Sequence, residues 1–104
     1  MARMVVIYKT PKDPAAFDKH YFEVHVPLAK KLPGLRKYEV SRGPIVAPAG
    51  GSGFYMVASL RFDSLTAIQQ AFATPEGQAC ARDRRALAPH DEDVIMLLFD
   101  DREV

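Results

Sequence analysis

Cysteine is nearly absent: Cys80 stands alone in 104 residues. An intrachain disulfide framework and a cysteine-based zinc site are therefore excluded, and reducing cytoplasm is the expected compartment. Charge of one sign is missing too. Lys and Arg number 14 against 13 Asp and Glu, so no bulk electrostatic pull draws the chain to nucleic acid or to an anionic membrane. Long apolar runs are lacking. The longest, Val94 to Phe99, falls far short of the ~20 residues that span a bilayer. Met-Ala-Arg-Met leads straight into strand-like sequence, with no apolar leader segment and no small-residue cleavage site. Gly51-Ser52-Gly53 precedes a strand and not a helix, so it is no dinucleotide turn, and there is no phosphate-binding Gly-Lys-Ser/Thr loop. What remains is ordinary globular composition, 48% apolar and 26% charged, at a length that suits one domain with a modest core.

Four strands and two helical regions can be read. Arg3 to Lys9 is β-branched and nearly all apolar, a strand. Asp13 then reads as an N-cap and Pro14 as the first helical residue, where its missing N–H costs nothing. The first helix is expected from Pro14 to about Leu32, with Phe17, Tyr21, Val24, Leu28 and Leu32 as its apolar stripe. Pro27 removes a backbone donor and presses on the Glu23 carbonyl, which predicts a kink or break near His25. Pro33-Gly34 ends the helix. Leu35 to Arg42 reads as a half-solvated strand near an edge, and Gly43 to Gly53 as an irregular loop. Phe54 to Phe62 is the third strand. Asp63-Ser64 caps a second helical region with Leu65, Ile68 and Phe72 as its stripe, and Thr74-Pro75-Glu76 restarts it through about Leu87. Pro89 to Asp93 is a polar loop and Val94 to Phe99 the last strand.

The order βαββαβ is the ferredoxin-like pattern of the α+β class, an antiparallel sheet with helices on one face. Those helices cover one face only. The first and last strands, MVVIY and VIMLLF, are apolar on both faces. The uncovered side is therefore an association surface, and a homodimer with its sheets face to face is expected.

Few residues carry chemistry. His20 and His25 flank Glu23 in a near-metalloprotease pattern, but five residues set them about 140° apart on a regular helix. No metal site is expected. His25 is the sharper case. It lies at the edge of the apolar stripe beside a helix break, where desolvation would keep it neutral and fit to act as a general base. The alternative is a partly buried histidine bonded to backbone. Tyr8, Tyr21 and Tyr38 are candidates to orient a substrate oxygen, whereas Tyr55 reads as a strand residue. Cys80 reads as a small buried hydrophobe. Arg82, Arg84 and Arg85 read as a solvated helix face partly balanced by Asp83. RNA-recognition domains share this strand order, but Gly53 to Val57 lacks their interleaved aromatics and preceding basic residue.

Tyr21-Phe22, His25-Val26-Pro27-Leu28-Ala29, Pro33-Gly34-Leu35 and Tyr38 together resemble the EthD family, which takes its name from a protein linked to ethyl tert-butyl ether degradation. Phe62-Asp63-Ser64-Leu65, Pro75-Glu76-Gly77 and Asp83 continue the likeness over nearly the whole chain. The resemblance implies a dimeric α+β barrel. Relatives of that barrel include cofactor-independent lactone isomerases, polyketide cyclases and dehydratases, and quinone-forming monooxygenases, with haem-binding cousins. It also implies that His25 is the acid/base of the site and that Tyr38 lines the pocket. The lactone isomerases use a strand or loop cysteine, whereas Cys80 falls in the late helix.

The expected function is a cofactor-independent isomerase, cyclase/dehydratase or monooxygenase-like enzyme. It would move a proton on a small apolar organic acid, lactone or aromatic or polyketide-like compound, in a xenobiotic-degrading setting. His25 would be catalytic, with Tyr8, Tyr21, Tyr38 and Leu28 around the substrate. The rival reading is a non-catalytic binding or accessory protein for a hydrophobic metabolite.

Overall fold

A computed structural model describes residues 1–104. Strands β1 (Ala2–Lys9), β2 (Lys37–Val40), β3 (Phe54–Phe62) and β4 (Val94–Asp100) form one antiparallel sheet in the order β2-β3-β1-β4. Helices α1 (Pro14–His20), α2 (Val26–Ala29), α3 (Leu65–Ala73) and α4 (Pro75–Leu87) complete the fold. This is the expected α+β, ferredoxin-like arrangement. No helix is long and apolar enough to cross a membrane.

The period-two alternation of β1 and β3 builds the core. Met4, Val6 and Tyr8 on β1 and Met56, Ala58 and Leu60 on β3 turn toward the helices and are buried. The register pairs Met4 with Leu60 and Val6 with Ala58. Ile68 and Ala71 of α3 and Cys80 of α4 close the layer from above. On the opposite face Val5 and Ile7 sit between Val57 and Ser59 of β3 and Leu97 and Ile95 of β4. No helix covers that face. Ile95, Leu97 and Phe99 there keep 37%, 47% and 40% of their surface exposed.

The caps agree with the residues that mark them. Asp13 accepts a hydrogen bond from the Ala16 N–H at 3.1 Å, Ser64 from Ala67 at 3.0 Å, and Thr74 from Gly77 at 3.1 Å. β2 is shorter than the expected Leu35 to Arg42. At its far end the Ser41 hydroxyl, not a backbone carbonyl, accepts from the Val57 N–H at 2.9 Å, so the regular ladder stops there.

The first helix departs most from a regular pattern. Between α1 and α2 lies a π turn, Tyr21–His25, in which the Val26 N–H bonds to the Tyr21 carbonyl five residues back. Pro27 has no N–H to offer the Glu23 carbonyl, and the chain absorbs this as one wide turn and not as a break. The extra residue moves the buried face by one position. Phe17 and Tyr21 are buried as expected, but beyond them the buried residues are His25 and Ala29, and the stripe rejoins its expected course at Leu32. Val24 is 44% exposed and Leu28 only half-buried.

α3 and α4 meet at Gly77. A Cβ there would lie 2.2 Å from the Ala71 carbonyl oxygen and 2.4 Å from the Phe72 Cα, both backbone atoms that cannot step aside. Gly77→Ala is therefore expected to destabilise the fold by about 3 kcal/mol, the upper range for overpacking. Urea unfolding of the two proteins measures this, and a change below about 0.5 kcal/mol would contradict the close approach.

Candidate active site

A cavity of about 330 Å³ opens between the inner face of the sheet and the helices. Of its 17 lining residues, 13 are hydrophobic, the proportion expected of a small-molecule pocket. β1 supplies Tyr8, β2 supplies Tyr38, and the π turn supplies Tyr21 and His25. Met96 and Leu98 of β4 point to the helix side yet remain 44% and 47% exposed, so the cavity opens past this edge strand. Leu28 is absent from the wall. The one-residue shift of the π turn turns it away, which corrects its expected place beside the substrate.

His25 is 6% exposed and sits within a hydrogen-bonded triad. Its Nδ1 lies 2.9 Å from Asp83 Oδ2, and His20 Nε2 lies 2.7 Å from Asp83 Oδ1. An ionised carboxylate only accepts, so both imidazoles donate to it. Nδ1–H of neutral His25 is thereby committed to Asp83, and Nε2 keeps its lone pair free. Here the regular-helix expectation fails. His20 does not project away from His25: the π turn brings residues five apart to one carboxylate. Asp83 likewise does not balance its arginine neighbours across a solvated face. It points inward to the histidines, and Arg84 and Arg85 line the cavity.

Burial dominates the titration of His25 and pushes its pKa below the ordinary value. The hydrogen bond and charge of Asp83 act the other way, and the charges of His20 and Arg84 depress it further. His25 is thus neutral at pH 7. Its ring also packs on Tyr21, centroid to centroid 5.2 Å.

Tyr8, Tyr21 and Tyr38 line the same cavity. Tyr8 and Tyr21 are 1% and 0% exposed, and their rings meet edge to face at 5.8 Å. The hydroxyls of Tyr21 and Tyr38 are 2.5 Å apart. Burial raises the pKa of both, that of Tyr21 further, and Tyr38 is pushed up to about 12. Either hydroxyl can donate across this short bond, and both phenols keep their protons at neutral pH. Burial also raises the Cys80 thiol to about 11, so Cys80 faces the cavity as a neutral, weakly nucleophilic group. Tyr55 is more than a strand residue: its hydroxyl donates to Asp18 at 2.8 Å, outside this cavity.

The pattern of residues 9–91 matches the model of the EthD domain. A curated relative from Rhodococcus erythropolis, an uncharacterized 11.0 kDa protein of the thcB-thcC intergenic region, is 37% identical over 99% of this chain and 96% of its own. The crystal structure of an ethyl tert-butyl ether degradation (EthD) family protein from Bacillus halodurans is 34% identical. It superposes with a TM-score of 0.87 over 98% of this chain and 99% of its own. A mutant of SnoaB, a cofactor-independent oxygenase from Streptomyces nogalater, shares the fold at a TM-score of 0.68. It is 20% identical, over 99% of this chain and 94% of its own.

The buried neutral His25 makes stability depend on pH. Its folded-state pKa lies below the ~6.5 of the unfolded chain, so the unfolded state binds the proton more tightly. Stability contributed by the neutral ring is present above about pH 6.5 and is lost as pH falls toward the lowered folded value. Urea unfolding at pH 7 and pH 5 is expected to show this loss in the native protein and a smaller one in His25→Gln. Equal pH slopes in the two proteins would contradict it.

Proposed function

This chain belongs to the EthD family, and from that premise we propose that it is a cofactor-independent enzyme moving a proton on a small, largely apolar carbonyl compound. Organic acids, lactones and aromatic or polyketide-like rings are the classes that suit its cavity. The observation that carries this reading is the Asp83-held His25, whose unprotonated Nε2 belongs to an apolar pocket that also presents the Tyr38 hydroxyl.

The chemistry follows from those groups. Nε2 takes a proton from the carbon next to the substrate carbonyl, and the C–H electron pair passes into an enolate. The Tyr38 O–H, polarised by the Tyr21 hydrogen bond, donates to the enolate oxygen. Asp83 stabilises the imidazolium formed at that moment and fixes the ring's orientation, as a carboxylate does for a catalytic histidine elsewhere. His25 then returns the proton to a different carbon, giving isomerisation, or to a leaving hydroxyl, giving dehydration. A positioned base contributes ~10²–10⁴ in rate and an oxyanion donor ~10²–10³.

Deuterium exchange tests this without knowledge of the natural substrate. 2-Tetralone is a compact bicyclic ketone with acidic C–H bonds beside its carbonyl. In D₂O followed by NMR, the protein is expected to accelerate deuterium uptake. His25→Ala should reduce this by about 100-fold and Tyr38→Phe by about 10-fold or more. Equal rates with native protein and His25→Ala would contradict the reading. Tetralone binding with no exchange would leave a binding protein in its place.

The exposed apolar face of the sheet supports a second part of the proposal, a homodimer in which two such faces pack together. Val5, Ile7, Ile95, Leu97 and Phe99 form a continuous patch of the kind that marks an interface. Leu97→Asp buries an unpaired charge in that interface and is expected to convert dimer to monomer in analytical ultracentrifugation. A monomeric native protein at micromolar concentration would contradict the pairing.

A further inference from the structure

The proton-transfer reading uses His25, Tyr38 and Tyr21 and leaves two polar groups of the cavity wall without a task. One is Tyr8, whose side chain lines the cavity wall and whose hydroxyl makes no hydrogen bond within the protein. That hydroxyl is therefore a donor open to whatever occupies the cavity.

The other is Arg84, one residue beyond Asp83 on α4. It is half-buried in the same wall. Its Nη1 donates to the Ala88 carbonyl at 3.1 Å, which leaves the other guanidinium donors free. The neighbouring acid, Asp83, is saturated by His20 and His25. Five ion pairs of Lys, Arg or the N-terminus with carboxylates form in the protein, and neither Arg84 nor Arg85 takes part in any of them. Arg84 lines the same cavity as Tyr8 and His25, and its charge opposes the burial that raises the Tyr8 phenol.

Tyr8 and Arg84 thus offer hydrogen-bond donors and a positive charge inside an otherwise apolar pocket. A neutral hydrocarbon ligand would leave both unmet. A group that only accepts, and carries a negative charge, meets both at once. We propose that the cavity takes a ring-bearing monocarboxylate, its carboxylate accepting from the Tyr8 hydroxyl and the Arg84 guanidinium while its ring lies against Tyr21 and Ile68. Arg85, exposed at the rim, draws the anion toward the opening. The inference rests on the proton-transfer reading for the identity of the site, not for its chemistry.

Isothermal titration with 2-naphthoate and its neutral isostere 2-naphthamide tests the charge preference directly. The native protein is expected to bind the acid at least ten-fold more tightly than the amide. Tyr8→Phe and Arg84→Gln should each weaken acid binding by about ten-fold while changing amide binding less than two-fold. Tyr8→Phe keeps the ring and its packing, so it reports on the hydroxyl even if loss of the Arg84–Ala88 bond perturbs α4. Equal binding of acid and amide, a preference that survives both substitutions, or no binding of either at millimolar concentration would overturn the proposal. His25→Ala separates the two readings. It removes deuterium exchange but should keep the acid preference. Preference without exchange in the native protein supports a carboxylate site and overturns the enzyme. Exchange without preference does the reverse.

Discussion

A single backbone hydrogen bond, from the Val26 N–H to the Tyr21 carbonyl, organises the site. It exists because Pro27 cannot supply the regular bond to Glu23. The wide turn it closes inserts one residue into the helix face and carries His25 from the rim of the stripe into the core. It also brings His20 and His25 to the two oxygens of one carboxylate, Asp83. A regular helix would bury Val24 and Leu28 here and leave the cavity with no base. π turns recur at functional positions for this reason: they place a polar residue where the apolar pattern would not.

The site balances burial against charge. Desolvation alone would drive His25 toward permanent neutrality, since a buried imidazolium is costly. Asp83 opposes this, and the opposing effects leave a ring that is neutral at rest and still able to accept a proton during reaction. The phenols follow the same logic. Burial raises both phenols, Tyr21 the further, so each stays protonated and the pair shares one short hydrogen bond in the cavity wall. Cys80, raised by burial, contributes shape and not nucleophilicity.

Much of this was readable in the residues, and the exceptions share one cause. The period-two alternation of Phe54 to Phe62 set the third strand with both its ends. Asp13, Ser64 and Thr74 marked three helix starts through their capping oxygens. Tyr8, Tyr21 and Tyr38 met in one cavity because each falls on an inward position of its element. Leu28 was misplaced, and the partnership of His20 with Asp83 missed, because a 100° period cannot register an inserted residue. The signal was present as Pro27 two residues after a histidine, with a second histidine five residues before that one. Asp83 and Arg84 were hidden differently. They lie in an Arg-rich stretch that reads as solvated surface, and only tertiary packing of α4 on the π turn shows that one points in to two rings and the next into the cavity.

The central claim is that His25 is neutral with its proton on Nδ1, leaving Nε2 as the base. Long-range ¹⁵N–¹H correlation spectra of uniformly labelled protein at neutral pH observe this directly. The account predicts one protonated Nδ1 and one unprotonated Nε2 for His25, with the pattern lost in Asp83→Asn. An Nε2–H tautomer, or a doubly protonated ring at neutral pH, would contradict it.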